Sequence, residues 1–191
     1  MKGKFVLVVG TSGSGKNTLI EHVRPLFPEV VYAKSCVTRP PREGEDSGYR
    51  YFVSKDDFEA RVKNGEFLEW AEYGGNLYGT LRAEVVTQIE AGHIVLKELE
   101  VQGVRQIREK MSKDDLIIVF INAGSWEDVE ARIKARAPIS ADELLKRRAH
   151  YDDEMSYMRE ADIVIENKQG QVEQAKKDFE SIIRALVEAA R

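Results

Sequence analysis

Lys16 ends a glycine-rich run, Gly10-Thr11-Ser12-Gly13-Ser14-Gly15-Lys16-Asn17-Thr18. Glycines at these spacings let a backbone bend until several N–H groups face one point, where an anion is favoured. A lysine at the end adds a full positive charge, and a helix opening there adds the partial charge of its N-terminus. The chemistry indicated is binding of a nucleotide's terminal phosphates. The strict pattern places Ser or Thr after the lysine, as a ligand for Mg²⁺. Here Asn17 takes that position and Thr18 follows, so any metal contact runs through the Asn17 amide oxygen or a metal-bound water. A second group is Arg39 and Arg42, three apart around Pro40 and Pro41. Proline stiffens the chain, and guanidinium groups hold phosphate by paired hydrogen bonds. A third lies between positions 132 and 148, where six basic residues (Arg132, Lys134, Arg136, Lys146, Arg147 and Arg148) face two acidic ones.

These residues need a scaffold. Phe5 to Val9 is a short apolar run that reads as a buried strand, followed by the glycine turn and a helix from about Lys16 to Arg24 that Pro25 and Pro28 stop. Further strands are expected at Val30–Lys34, Ile94–Leu99, Leu116–Ile121 and Ile163–Ile165, with helices at Asp56–Lys63, Arg82–Ala91, Gln102–Met111, Trp126–Arg136, Ala141–Arg159 and Val172–Ala190. Phe67 to Tyr78, with its Gly74-Gly75-Asn76 turn, reads as a β-hairpin. Alternating strands and helices predict an α/β fold with a parallel sheet covered on both faces. Residues 35–80 break that alternation and read as an inserted lobe, and residues 136–157 as a small helical lid. The core is then 1–34, 81–135 and 158–191, within one domain of 191 residues.

The composition is globular, with 42% hydrophobic and 32% charged residues. A formal net charge of −4 argues against a nucleic-acid partner. The longest apolar run has six residues, Leu116 to Ile121, whereas a spanning helix needs about 20. The five apolar residues Phe5 to Val9 fall short of a signal peptide's core of about 7–15. With a single cysteine, Cys36, the expected compartment is the cytoplasm.

The motifs settle the reading. The phosphate loop, the segment Thr38-Arg39-Pro40-Pro41-Arg42-Glu43-Gly44-Glu45, Gly65-Glu66-Phe67-Leu68-Glu69-Trp70-Ala71, Tyr78-Gly79-Thr80 and Val101-Gln102-Gly103 occur in an order that resembles guanylate kinase from Lys4 to about Ala190. The resemblance implies transfer of the γ-phosphoryl group of ATP to GMP, with Mg²⁺. It implies that Gly10 to Thr18, with Asn167, hold ATP. Lys16, Arg132, Arg136 and Arg147, with Arg39 and Arg42, would stabilise the moving phosphoryl group. Arg39, Arg42, Tyr51 and Tyr78 would clamp the GMP phosphate, while Ser35, Glu69 and Thr80 read guanine. A carboxylate can accept from guanine N1–H and the 2-amino group together, and the hydroxyls of Ser35 and Thr80 can donate to O6. Glu98 and Glu100 fall on one face at the end of a strand, with Lys97 and Leu99 on the other, beside GMP or the waters of a magnesium ion held by the nucleotide phosphates near Asn17.

Four features depart from the family pattern: Asn17 for Ser or Gly, Glu100 for Asp, Arg136-Ala137-Pro138 for Arg-Gly-Thr, and a segment before Tyr51 shorter by a residue, which makes Tyr49 an alternative to Tyr51. Two other readings share the fold: a kinase of another phosphorylated acceptor such as a ribose bisphosphate, and an inactive protein-binding module. Intact Glu69, Tyr78 and Thr80 speak against the first, and the intact phosphate loop against the second. A GTPase would need Asp after Asn167-Lys168-Gln169, where Gly170 stands. His22, His93 and His150 show no metal-ligand spacing. Trp70 and Trp126 are expected in the core.

Overall fold

The structure, a computed structural model, describes residues 2–42, 45, 47–136 and 138–190, with the side chains of Ser47 and Arg136 excluded. Strand β1 (Phe5–Val9) has no exposed residue. It pairs in parallel with β7 (Val95–Glu98) on one side and β8 (Leu116–Asn122) on the other. Beyond β7 lies β2 (Val31–Tyr32), and beyond β8 lies β9 (Ile163–Glu166), also parallel. The order β2-β7-β1-β8-β9 is a parallel sheet with β1 at its centre. Such a strand is buried on both faces, which is why Phe5 to Val9 is apolar throughout.

Alternate residues of β1 serve different layers. Phe5, Leu7 and Val9 pack with Val85 and Ile89 of α3 (Arg82–Glu90) and with Val104 and Ile107 of α4 (Val101–Lys110). Val6 and Val8 pack with Leu19 and Val23 of α1 (Lys16–Val23) and with Phe179 and Ile183 of α7 (Val172–Ala190).

A second sheet runs β4-β3-β6-β5. Its strands are β3 (Ser35–Val37), β4 (Arg50–Phe52), β5 (Phe67–Tyr73) and β6 (Asn76–Leu81). Gly74 and Gly75 join β5 to β6 with φ of 55° and 76°, the two positive values that the tight hairpin turn demands. A register shift between Phe67 and Glu69 sets Glu69 opposite Thr80. Bulges of this kind re-aim side chains, and here Leu68 and Glu69 are both buried although adjacent. Helix α2 (Lys55–Lys63), capped by Ser54, covers this sheet through Phe58, which stacks on Phe67 at 4.4 Å.

Three expectations are corrected. The single strand at Val30–Lys34 is divided: β2 ends at Tyr32 and the chain enters the second sheet at Ser35. Between them, Ala33 O is bonded by the Lys97 ammonium rather than by a backbone N–H. Helix α6 (Ala141–Tyr157), with Ser140 accepting from Glu143 N, tightens to a 3₁₀ turn at Met158. Trp70 is 38% exposed because β5 is an edge strand, and its ring meets only the edge of Phe58, at 6.5 Å. Trp126 opens α5 (Trp126–Arg136) and packs against Tyr151.

Phe179 is wholly buried under the central sheet. Phe179→Ala is expected to lower the unfolding free energy by about 3–5 kcal/mol, measured by urea denaturation.

Candidate active site

The phosphate loop leaves β1 and must turn sharply against β8. Gly10 has φ of 149°, and a Cβ there would lie 2.5 Å from Ile121 O. Gly15 has φ of 94°, and a Cβ there would lie 2.5 Å from Asn167 Nδ2. Both positions exclude side chains by conformation and by space. The loop's carbonyls are bound from within. Lys16 Nζ donates to Gly10 O at 2.6 Å and Thr11 O at 3.1 Å. Asn167, 3% exposed at the end of β9, donates from Nδ2 to Ser14 O at 2.7 Å. Arg132 of α5 holds Asn167 in turn, donating to its carbonyl at 2.6 Å. Thr11 Oγ1 and Ser14 Oγ are buried with no partner among the described residues.

From α6, Arg147 donates to Ser12 Oγ at 2.8 Å and to Glu143 at 3.1 Å. Arg132 and Arg147 therefore meet over the loop, lining with it a cavity of about 810 Å³. Arg136 ends α5, and its side chain lies outside the described residues.

A second cavity, of about 360 Å³, opens on the other side of Lys16. Ser35, Glu69, Tyr78, Glu98 and Glu100 line it, together with Ser12, Gly13, Lys16 and Asn17, which line the first cavity too. Glu69 is 6% exposed and accepts from the Thr80 hydroxyl. Burial pushes its carboxyl up, while the bond from Thr80 and the charges of Lys97 and Lys110 pull it down. A hydroxyl has a single hydrogen. Thr80 here gives its hydrogen to Glu69.

Arg39, 8% exposed, forms a two-pronged pair with Glu45 at 2.6 and 2.5 Å. Glu45 also accepts from Arg50 Nε and from the backbone N–H of Arg42. These donors, Arg39 foremost, hold its carboxyl well below the usual carboxylate range. The Tyr78 hydroxyl lies near the Arg39 guanidinium and favours its charged form. Arg42 is exposed, and Tyr51 donates to Glu84 at 2.9 Å. Neither Arg39, Arg42 nor Tyr51 lines the second cavity. Tyr49, the alternative, is exposed beneath the Arg24 guanidinium at 3.5 Å.

Lys97, expected on the face opposite Glu98 and Glu100, lines the same cavity as both. Its long stem carries the ammonium to Ala33 O and Ser35 Oγ. Glu100 lies beyond the end of β7, before α4, and accepts from Tyr73. Three residues here escaped the sequence reading: Lys97, Tyr73 and Glu154. Glu154 sits on α6 beside Lys16, facing the backbone of Ser12. Only its distance along the chain from the loop hid it. Burial lowers the affinity of Lys16 for its proton, opposed by Glu154, Glu98 and Glu100. Burial pushes Glu154 up to about 7, against the pull of Lys16 and with the help of Glu100.

Residues 2–186 match the guanylate kinase family. The chain belongs to that family. It is 38% identical to a guanylate kinase of Rubrobacter xylanophilus over 97% of this chain and 96% of that one. It is 35% identical to that of Thermotoga maritima over 97% and 88%. The crystal structure of guanylate kinase from Anaplasma phagocytophilum superposes with a TM-score of 0.70 at 28% identity, covering 96% of this chain and 86% of that one. Members of the family are ATP:GMP phosphotransferases, so this chain is a kinase, and its acceptor is a nucleoside monophosphate rather than a sugar phosphate. Among the described residues no helix is long and apolar enough to cross a membrane.

Glu154 yields a pH test. Its folded-state value of about 7 exceeds the ordinary 4.5, so the native state holds this proton more tightly than the unfolded chain. Stability from this group is therefore full below the lower value and is lost as pH rises through the upper one. Glu154→Gln should flatten the fall in stability between pH 5 and 7, read by urea unfolding at each pH.

Proposed function

We propose that the chain transfers the γ-phosphoryl group of ATP to the phosphate of GMP across the junction of its two cavities. The supporting observation is that Ser12, Gly13, Lys16 and Asn17 line both. A phosphoryl group bound by the loop would then be reachable from either side. In this reading the larger cavity takes ATP, held by Gly10 to Thr18 and by Asn167. The smaller takes GMP. Residues 35–80 form the acceptor lobe and 136–157 the lid, on a core of 1–34, 81–135 and 158–191.

The acceptor oxygen is already anionic, so no general base is required, and rate comes from alignment and charge neutralisation. Lys16, Arg132, Arg136 and Arg147 stabilise negative charge on the transferring group. Arg39, kept in place by Glu45, clamps the GMP phosphate with Arg42 and Tyr78. Tyr51 joins them by exchanging its bond to Glu84 for a phosphate oxygen. Glu69 accepts from guanine N1–H and the 2-amino group, Thr80 steadies Glu69, and Ser35 donates to O6. Adenine presents a bare ring nitrogen to Glu69, so that contact becomes repulsive.

The donor set suits Mg²⁺. Asn17, Glu98 and Glu100 offer hard oxygen atoms on one cavity. The described residues hold no group of three or more His, Cys, Asp or Glu side chains that would make a metal cage. An ion carried in on nucleotide phosphates would have its waters held by Asn17, Glu98 and Glu100. When bound, the ion supplies charge neutralisation at the phosphates. A cytoplasmic location belongs to the same proposal, supported by the buried free thiol of Cys36 and by a reaction that draws on ATP.

A coupled assay of ADP formation with GMP, AMP, CMP and UMP tests the reading. Strong turnover with GMP alone is expected. Glu69→Gln should lower kcat/KM for GMP by on the order of a hundredfold or more, with the KM for ATP unchanged. Equal turnover with AMP and GMP would overturn the assignment of the smaller cavity.

A further inference from the structure

The middle of a buried parallel strand is an unfavourable place for an ammonium group. Lys97 nonetheless occupies β7 with 5% exposure. Burial works against its charge and lowers its pKa to about 8, while the two bonds it donates favour the ammonium form. Glu69 from β5 is the strongest of the groups that hold the proton on, followed by Glu98 of its own strand and then by Glu84 from α3, while Arg50 from β4 opposes them. Its two hydrogen-bond acceptors are Ala33 O at 3.0 Å and Ser35 Oγ at 2.9 Å. Both lie where the chain crosses from the central sheet into the second one.

We infer that Lys97 is a specificity-determining positioning residue: it fixes Ser35 as a hydrogen-bond donor and Glu69 as an acceptor, so that the cavity takes a base edge bearing a carbonyl beside N–H groups. The inference rests on the acceptor reading above and deepens it.

An ammonium only donates. By donating into Ser35 Oγ it uses acceptor capacity there, and its charge repels any other positive hydrogen that approaches. Ser35 is left with its own hydrogen to offer to the cavity it lines. No substitute stands nearby, because the Thr80 hydrogen is spent on Glu69. The 6-oxo group of a purine meets a donor, and a 6-amino group meets a like charge. The second effect is on Glu69. Burial pushes its carboxyl up, while Thr80, Lys97 and Lys110 pull it back down. Without the Lys97 charge, Glu69 takes up a proton at higher pH and ceases to accept from N1–H.

The two effects separate in two variants of the full chain. Lys97→Met removes both donor and charge. Lys97→Gln keeps an N–H donor for Ala33 and Ser35 but no charge. ADP binding by calorimetry reports folding and the ATP side. For Lys97→Met, kcat/KM for GMP should fall by about ten- to a hundredfold, while ADP affinity stays within about twofold and the preference for GMP over AMP narrows. The acid limb of its pH profile should move to higher pH, which a merely structural loss would not cause. Lys97→Gln should recover the base preference and retain the displaced limb. Should Lys97→Met fail to bind ADP, the decision passes to Lys97→Gln and to Ser35→Ala, which leaves the buried charge in place and should narrow the preference alone. Unchanged base preference and an unmoved acid limb in the folded variants would overturn the inference. Absence of GMP turnover by the unaltered chain would instead refute the acceptor reading, and with it this one.

Discussion

A loop that turns its N–H groups towards an anion must turn its carbonyls inward, where water cannot satisfy them. That constraint organises the molecule. Lys16 takes the carbonyls of Gly10 and Thr11, and Asn167 takes that of Ser14. Neither arrangement is local in its origin. Lys16 must begin a helix that packs on one face of the sheet. Asn167 must arrive at the end of the last strand, two strands away from β1, and be held there by Arg132 from α5. Buried carbonyls without partners cost free energy of the order of a hydrogen bond or more, so the sheet order and the shape of the loop are mutually dependent.

The same loop decides where the arginines gather. Arg147 reaches Ser12 from α6, and Glu154 of the same helix lies beside Lys16. One helix thus brings a positive and a negative group to the loop, one on each cavity. On the acceptor side the charges are arranged differently. Arg39 is neutralised in a paired contact with Glu45, Glu69 is buried under Thr80, and Lys97 lies behind Ser35. Each of these charged groups has a second group that keeps its orientation. Such support is what holds a site to a geometry tight enough to discriminate.

The central strands, the phosphate loop and the Gly74-Gly75 hairpin were legible because each depends on neighbours in sequence. A run of apolar residues, spaced glycines and two positive φ values need no knowledge of the rest of the chain. The failures share the opposite cause. Val30–Lys34 looks like one strand, yet the chain changes sheets at Ala33, and only the Lys97 side chain, 64 residues away, shows where. Alternation placed Lys97 opposite Glu98, but a four-carbon stem can return its charge to the face its Cβ leaves. Glu154 carries no motif and gains its meaning only from α6 folding over the loop. Spacing left Tyr49 as an alternative to Tyr51, and the partner of the Tyr51 hydroxyl, Glu84, belongs to another element.

The central claim is that the donor and acceptor cavities meet at the phosphate loop. A single ligand in which adenosine and guanosine are joined through a chain of phosphates tests this directly by calorimetric competition. Such a ligand should bind once per chain, more tightly than either ATP or GMP, and should exclude both. If it displaced one nucleotide while the other still bound at full affinity, the two cavities would not share a reacting centre, and the account would be contradicted.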